Sequence, residues 1–382
     1  MIKNVAEGKG RISDLFVEEM NFCLDCQACE TACPAGVKYG SLVESARAVI
    51  NENIETFSFV ERFKKYFLNR ILAEPKRLRH YSKILRIYQK SYLKYLLERS
   101  GLLKLFPAKF AGIIKLIPQV SMKFSSDEIE EITFPGGEIK YETAFHTGCI
   151  MNTAFAVINT DTIVVLKGYG CKVFTPGDQV CCGSLHAHNG EIEKARELAK
   201  RNIDMFENKA YDYLISNSAG CGAFMKEYGK LLKNENGYSK RADAFSAKVR
   251  DVTEFLFDKK PLKKFKNISM HAAYHDACHL VHGQKIFNEP RELLSSIPGL
   301  KIVDLEDSTR CCGSAGIYNV LRYDDSMEIL EAKMGNISQT GAETVITGNP
   351  GCILQISMGA EKFNTRVEVL HPVSVLKRAM SG

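Results

Sequence analysis

The chain has 382 residues, 45% hydrophobic and 25% charged, with a formal net charge of +6 and thirteen cysteines. That length buries two or three cores and excludes a small disulfide-stapled scaffold. No stretch offers about twenty uninterrupted apolar residues, and the first twenty, with Lys3, Lys9 and Arg11, carry no secretory pattern, so a reducing cytoplasm is the expected setting.

In chain order, the first feature is Cys23-x2-Cys26-x2-Cys29-x3-Cys33-Pro34. Thiolates are the ligands of iron–sulfur clusters, and this spacing with its trailing proline is a bacterial ferredoxin signature. Residues 1–55 are therefore expected to form a helical ferredoxin-like domain around one 4Fe-4S cluster. A structural zinc knot is the plainer reading, but zinc sites seldom use four cysteines at this spacing.

Residues 56–135 read as a basic helical connector. Val60 to Val120 holds fifteen Lys and Arg against three Glu, a net of +12 in a chain of +6. Within it, Arg77 to Leu105 carries Tyr81, Ile84, Leu85, Tyr88, Tyr92, Leu93 and Leu96 at helical spacing. One reading is a linker with a solvated basic face. The other is docking on anionic lipid headgroups or on an acidic partner. No reading motif accompanies the charge, so no nucleic-acid partner is expected.

Beyond residue 136 the sequence repeats. His146-Thr147-Gly148-Cys149 returns as His275-Asp276-Ala277-Cys278, Cys181-Cys182-Gly183-Ser184 as Cys311-Cys312-Gly313-Ser314, and Ser218-Ala219-Gly220-Cys221 as Asn349-Pro350-Gly351-Cys352. Three anchors in near register define two copies of one module, 136–265 and 266–382. Each copy supplies four cysteines, the number a cubane cluster needs: Cys149, Cys181, Cys182 and Cys221, then Cys278, Cys311, Cys312 and Cys352. Up to two further 4Fe-4S clusters are expected, although either copy could instead keep its cysteines as small buried residues or a zinc site. His146 and His275 each precede a cysteine by three residues, as donors to a cluster from behind its ligands or as satisfied core histidines. Cys171 stands outside the sets and reads as a buried hydrophobe.

In the first copy the pattern predicts a strand over 141–145, a helix over 154–166, a strand over 172–174 and a turn at 175–178. A helix from Glu191 to Phe206, capped by Asn189, and a strand over 213–215 that delivers Cys221 complete it. The second copy predicts strands over 272–274, 302–305 and 345–347, with a helix over 325–334. Strands alternating with helices imply a parallel sheet covered on both faces, with the cysteines in loops at the carboxyl ends of its strands. The expected class is α+β multidomain: a helical ferredoxin-like domain, a helical connector and two repeated α/β modules.

On these residues the chain resembles the cysteine-rich "CCG" family found in heterodisulfide reductase and in the iron–sulfur subunits of glycolate oxidase, lactate-utilisation and anaerobic glycerol-3-phosphate dehydrogenase complexes. Cys23 to Val37 followed by Tyr39-Gly40, Val281-His282-Gly283-Gln284-Lys285, and Cys311 to Gly316 are most similar to the glycolate oxidase type. The resemblance implies an electron-transfer subunit, not itself catalytic, that takes electrons from an FAD-containing 2-hydroxyacid dehydrogenase subunit and passes them to a quinone or other acceptor. It would be cytoplasmic, with a peripheral contact on the inner face of the membrane as one option. The absence of a dinucleotide glycine motif, Walker loop or nucleophile elbow leaves the flavin and substrate to the partner.

Two departures qualify the resemblance. Members usually carry two ferredoxin motifs where this chain has one, beginning after Gly10-Arg11-Ile12, and in two-cluster ferredoxins the fourth cysteine of a run serves the other cluster. The fourth ligand beside Cys23, Cys26 and Cys29 is thus Cys33, another cysteine, or a group from outside the chain. The heterodisulfide reductase modules end in C-x-x-C, whereas here Phe224 and Gln355 stand three residues after Cys221 and Cys352. A heterodisulfide or thiol–disulfide reductase acting at an open iron, and a zinc-stabilised interaction protein, remain the competing classes.

Overall fold

Two parallel sheets organise the chain, and the computed structural model describes residues 1–53, 58–92 and 108–380. The first sheet holds β1 (Ile132–Thr133), β2 (Tyr141–His146), β3 (Cys171–Phe174), β4 (Tyr213–Ser216) and β5 (Val249–Asp251). Its order is β1-β3-β2-β4-β5, and only β1 runs antiparallel. The second holds β6 (Met270–Tyr274), β7 (Leu300–Val303), β8 (Thr344–Ile346) and β9 (Glu368–Leu370) in the order β7-β6-β8-β9, all parallel. The two sheets repeat one topology. In each, the chain goes outward from the first strand to the second, then crosses back to the first strand's other side, so a crevice opens at the carboxyl ends of β2 and β4, and of β6 and β8.

Local sequence accounts for most elements. The carboxyl halves of the central strands, Thr143 to His146 and Ala272 to Tyr274, are buried on both faces, which parallel strands between helix layers require. The helix predicted over 154–166 breaks at Phe155 into Cys149–Ala154 and Ala156–Gly168. The predicted Asn189 cap is corrected: Glu191 holds the N-cap of Ile192–Phe206, while the Asn189 amide donates back to the Leu185 carbonyl at 2.8 Å. In the connector, a helix Phe59–Tyr66 capped by a Ser58–Glu61 box runs into a wider-wound turn, Phe67–Leu72. Pro75 then starts a helix to Lys90, with Ala108–Lys115 beyond it. Leu93, Leu96, Lys94, Arg99 and Lys104 of the predicted basic tract lie outside the described residues.

The two repeats are not separate bodies. One core cluster joins Phe145, Leu166, Cys171 and Ile215 of the first to Tyr274, Leu294, Ile346 and Leu376 of the second. The last helix of each copy packs on the first long helix of the other: Pro372–Met380 on Ala156–Gly168, and Val252–Phe257 on Asn288–Ser295. Cys171 is fully buried in this core, as expected of a hydrophobe. Leu68, Leu72 and Leu78 of the connector enter the core of the first repeat.

A shared core predicts shared unfolding. Leu376→Ala, at a fully buried position, should cost about 2–5 kcal/mol and move a single denaturant transition seen by probes in both repeats. Two transitions, of which only one moves, would show that the repeats fold apart.

Candidate metal centres

Each crevice collects four cysteines from three chain segments. In the first repeat Gly148, at φ +68°, turns the chain after β2 so that Cys149 begins a helix. Cys181 and Cys182 lie in the loop after β3, and Cys221 is the third residue of Ala219–Lys226 after β4. Cys149 Sγ is 3.6 Å from Cys181 Sγ, and the Gly183 amide donates to Cys181 Sγ at 3.5 Å. Gly183 is at φ +93°, and a Cβ there would meet Phe224 at 3.2 Å and Ala195 at 3.3 Å, so only glycine fits. Cys181 is held well below the usual thiol range because Cys149 and Cys182 donate to its sulfur. Those two are pushed well up by that donation and by burial.

The second repeat reproduces the arrangement. Cys278 follows β6 at the head of a wide turn, His279–Gly283, and Cys352 is the third residue of Pro350–Lys362 after β8. The Gly313 amide donates to Cys311 Sγ at 3.4 Å. Cys278 is pushed well up by donation to Cys311 and by burial. Ligand atoms of His275, Cys312 and Cys352 lie within 4.8 Å of one another.

The N-terminal run stands against this second site. Cys23 ends the helix Asp14–Phe22, Cys29 sits in the helix Ala28–Ala32, and between them Asp25 and Gln27 take left-handed φ values of +54° and +61°. Burial, with the neighbouring sulfurs of Cys278, Cys23 and Cys29, pushes the Cys26 thiol to about 11 against the opposing Ala28 amide. A cavity of about 280 Å³ is lined by Cys23, Cys278, Cys311, Cys312 and Cys352, with Arg47, Lys64 and Arg322. Cys33 turns elsewhere, toward the amides of Val37, Ala35 and Gly36 and the Tyr39 hydroxyl, and its thiol is lowered, first by the Val37 amide. The structure thus gathers Cys23, Cys26 and Cys29 and directs Cys33 away from them.

The thiol sets fit a bound iron–sulfur group by a test independent of the cysteines. His146 Nε2 and both ring nitrogens of His275 are buried without a hydrogen-bond partner. Burial lowers the two imidazoles, to about 4 and about 3, so each is a neutral ring with an unused polar atom. Satisfied core histidines would have partners. These orphans stand at equivalent positions, His146 near Cys181 and His275 near Cys312 and Cys352, where a bound cluster would give each a partner.

Several residues at the sites were not singled out from sequence. His188 Nδ1 is 2.7 Å from Glu44 Oε1 and 2.9 Å from Asp25 Oδ2, and Nε2 is 2.9 Å from Ser184 Oγ. Burial opposes its charge, but Asp25 and Glu44 outweigh burial and raise it to about 10. Asp25 has no well-aligned hydrogen bond, so it is held by the charge of the shared imidazolium. Arg47 donates to the carbonyls of Met20, Cys23 and His188 at 2.8, 2.5 and 2.7 Å, fixing the N-terminal run against the first repeat. The nearest sequence signal was the Ser184-Leu185-His186-Ala187-His188 segment directly after Cys-Cys-Gly.

Comparison with known proteins agrees with this geometry. The family model "Cysteine-rich domain" (CCG) matches residues 143–226 and 272–357. The model "Glycolate oxidase iron-sulfur subunit, linker region" matches 60–116. The chain is 36% identical over 384 residues to the probable glycolate oxidase iron–sulfur subunit of Bacillus subtilis, covering 99% of this chain and 86% of that one. It is 28% identical over 384 residues to the glycolate oxidase iron–sulfur subunit of Escherichia coli, covering 100% and 86%. Lactate utilization protein A of an Exiguobacterium strain is 29% identical over 238 residues, covering 62% and 97%.

Thiol reactivity checks the placement. In iron-free protein held anaerobically at mildly alkaline pH, iodoacetamide should modify Cys33 first and Cys171, Cys182 and Cys312 last, because alkylation needs an accessible thiolate. Peptide mapping reads the order, and Cys182 reacting as fast as Cys33 would contradict the buried set.

Proposed function

This chain belongs to the family of glycolate oxidase iron–sulfur subunits, and on that premise we propose how its thiol sets are used. It is an iron–sulfur electron-transfer subunit. The proposed route takes electrons from an FAD-containing subunit that dehydrogenates a 2-hydroxyacid of the glycolate or lactate type, and delivers them to a quinone or another acceptor. The proposed division of the chain is a ferredoxin-like domain over 1–55, a connector over 56–135 and two modules over 136–265 and 266–382. Cys149, Cys181, Cys182 and Cys221 would hold one 4Fe-4S cluster and Cys278, Cys311, Cys312 and Cys352 a second. Cys23, Cys26 and Cys29 would hold a third, which Cys33 completes only if its loop turns inward. A bound cluster of this kind accepts and releases single electrons with little change in shape. The chain's own residues supply the rest: the amides of Gly183 and Gly313 donate to sulfur, one ring N–H each of His146 and His275 would be a further donor, and burial keeps water out.

The observation that carries this reading is the twofold recurrence of four converging thiols with one orphaned histidine. Anaerobic iron and sulfide analysis should find about four irons per occupied set. Cys182→Ser and Cys312→Ser should each remove one set of low-temperature paramagnetic signals and stop electron flow to the acceptor, leaving dye reduction by the flavoprotein intact. Full acceptor reduction in both variants would sink the proposal. The cavity beside the second set favours one alternative, a thiol–disulfide or heterodisulfide reductase. Disulfide reduction by the chain without its flavoprotein would support it.

A surface of the connector suits a peripheral membrane contact. Helices of soluble proteins put apolar residues inward, yet Phe59, Val60, Phe63 and Tyr66 are 84%, 60%, 59% and 51% exposed. On the same helix, Lys65 pairs inward with Glu191 at 3.5 Å, and Glu61 and Lys64 line the cavity. The connector also exposes Arg62, Arg70, Lys76, Arg77 and Lys83, and apolar and basic groups together suit an anionic bilayer interface. Arg79 and Arg86 do not contribute, being bound to Ser126 and Asp127 and to the Ser121 carbonyl. Binding to phosphatidylglycerol vesicles should therefore fall with salt as the Debye length shrinks from about 10 Å at 0.1 M to about 3 Å at 1 M. Phe59→Ser with Phe63→Ser, and Gln at Lys76, Arg77 and Lys83, should each weaken it. Salt-independent binding that ignores both sets, or losses confined to flavoprotein binding, would reassign the surface.

A further inference from the structure

The duplication makes every pair of equivalent positions a comparison of surroundings. A Cβ on Gly183 would meet Ala195, and one on Gly313 would meet Ser326, which sets the register between the helices Ile192–Phe206 and Tyr323–Gln339. In that register Asn202 of the first repeat corresponds to Lys333 of the second. Asn202 is neutral, and its amide donates to the Cys181 carbonyl at 3.0 Å and the Tyr228 hydroxyl at 3.2 Å. Lys333 is 2% exposed and donates to the Asp307 carbonyl. The Asp307 carboxylate lies out with Arg310, and no carboxylate among the described residues is within ion-pair distance of Lys333. Burial pushes the Lys333 ammonium below the usual lysine range, and the charges that oppose this are those of the Cys312 sulfur, Asp307, and the Cys311 and Cys352 sulfurs. A buried ammonium without a carboxylate is costly unless another anion answers it.

We propose that Lys333 is the counter-cation of the cluster site in the second repeat, raising that site's reduction potential above the value its four thiolates alone would give. The proposal rests on the electron-carrier reading above. One-electron reduction, by the partner's reduced flavin or by dithionite in the test tube, adds one negative charge to a site that is already anionic. A fixed positive charge close by stabilises the reduced state more than the oxidised one, so removing it lowers the potential. The first repeat has no fixed cation at this position. Its nearest counterpart is His186, which bonds the Leu68 carbonyl at 2.8 Å and approaches Cys181 from the connector side. The two sites, alike in their thiols, thus differ in the group that answers their charge, an imidazole in the first and a buried lysine in the second, and the second borders the cavity and Cys26.

Potentiometric titration of the reconstituted full chain, followed by low-temperature electron paramagnetic resonance in a background of Cys26→Ser with Cys182→Ser, reads the second site. Lys333→Met removes charge and donor, and Lys333→Gln removes the charge but keeps a donor for the Asp307 carbonyl. Both should shift the midpoint to lower potential, and Lys333→Arg should stay near the parent. A parental midpoint in Lys333→Gln would assign the effect to the hydrogen bond and overturn the proposal, as would unchanged midpoints in all three with iron retained. If the neutral variants shed iron, Asn202→Lys in a background of Cys26→Ser with Cys312→Ser decides: the first site's midpoint should rise, and an unchanged value overturns the inference. Lack of iron in the parent would instead defeat the electron-carrier reading.

Discussion

Four sulfurs held together out of water is the constraint on which the rest of this structure depends. Thiolates at such spacing repel, and burial raises the free energy of each charge. Without a positive group they share protons, which is why Cys181 is held low while Cys149 and Cys182 are pushed up. A parallel sheet offers a place for them. Its strands end together, its loops can converge from three segments, and the helices that follow present amide-rich, electropositive ends. Cys221 and Cys352 occupy the first turns of such helices, and the Gly183 and Gly313 amides donate to sulfur.

Placing two such sites in one chain explains the shared core. Each repeat has only four parallel strands, and each packs its first long helix against the other's terminal helix. Hydrogen bonds join the two repeats directly: the Ala219 amide donates to the Gly348 carbonyl at 3.1 Å, and the His371 ring meets the Asn217 carbonyl at 2.8 Å. The segments bearing Cys221 and Cys352 are therefore braced against each other, and the spacing between the sites is set by packing. For stepwise electron transfer a fixed spacing matters more than any one contact.

The parts of this arrangement written in short-range pattern were legible in the sequence. Apolar runs located the six strands they predicted within two residues but missed Ile132–Thr133, Val249–Asp251 and Glu368–Leu370, and the cysteine anchors disclosed the repeat. Contacts over long separations were not legible. Nothing in the spacing of Cys23 to Cys33 indicates that Cys26 meets Cys278 while Cys33 turns to its own loop amides, because that outcome depends on how Arg47 and His188 lock the run in place. The connector misled differently. Its charge count marked a basic segment, but charge alone cannot tell Arg79, committed to Ser126 and Asp127, from Arg77, which faces solvent. The Asn189 cap failed because its amide found a nearer acceptor in the Leu185 carbonyl.

The N-terminal run is best understood as a wedge between the repeats. Its own core is small, comprising Phe16, Met20, Ala46 and Ile50, too little to hold two left-handed non-glycine residues in place unaided. The strain at Asp25 and Gln27 is offset from outside: Asp25 by the imidazolium of His188 in the first repeat, Gln27 by close packing near Gly283 in the second. Thr31 adds a 3.0 Å contact to the His282 ring. A carboxylate buried this deeply would be strongly disfavoured alone, and the charge of His188, helped by Arg47, is what makes it tolerable. Glu44 and Arg47, on the same helix, bind His188 through its ring and its carbonyl. The conformation that presents Cys23 and Cys26 to the second repeat is thus fixed by residues of the first, so the order of the three thiol sets in space is built into the packing.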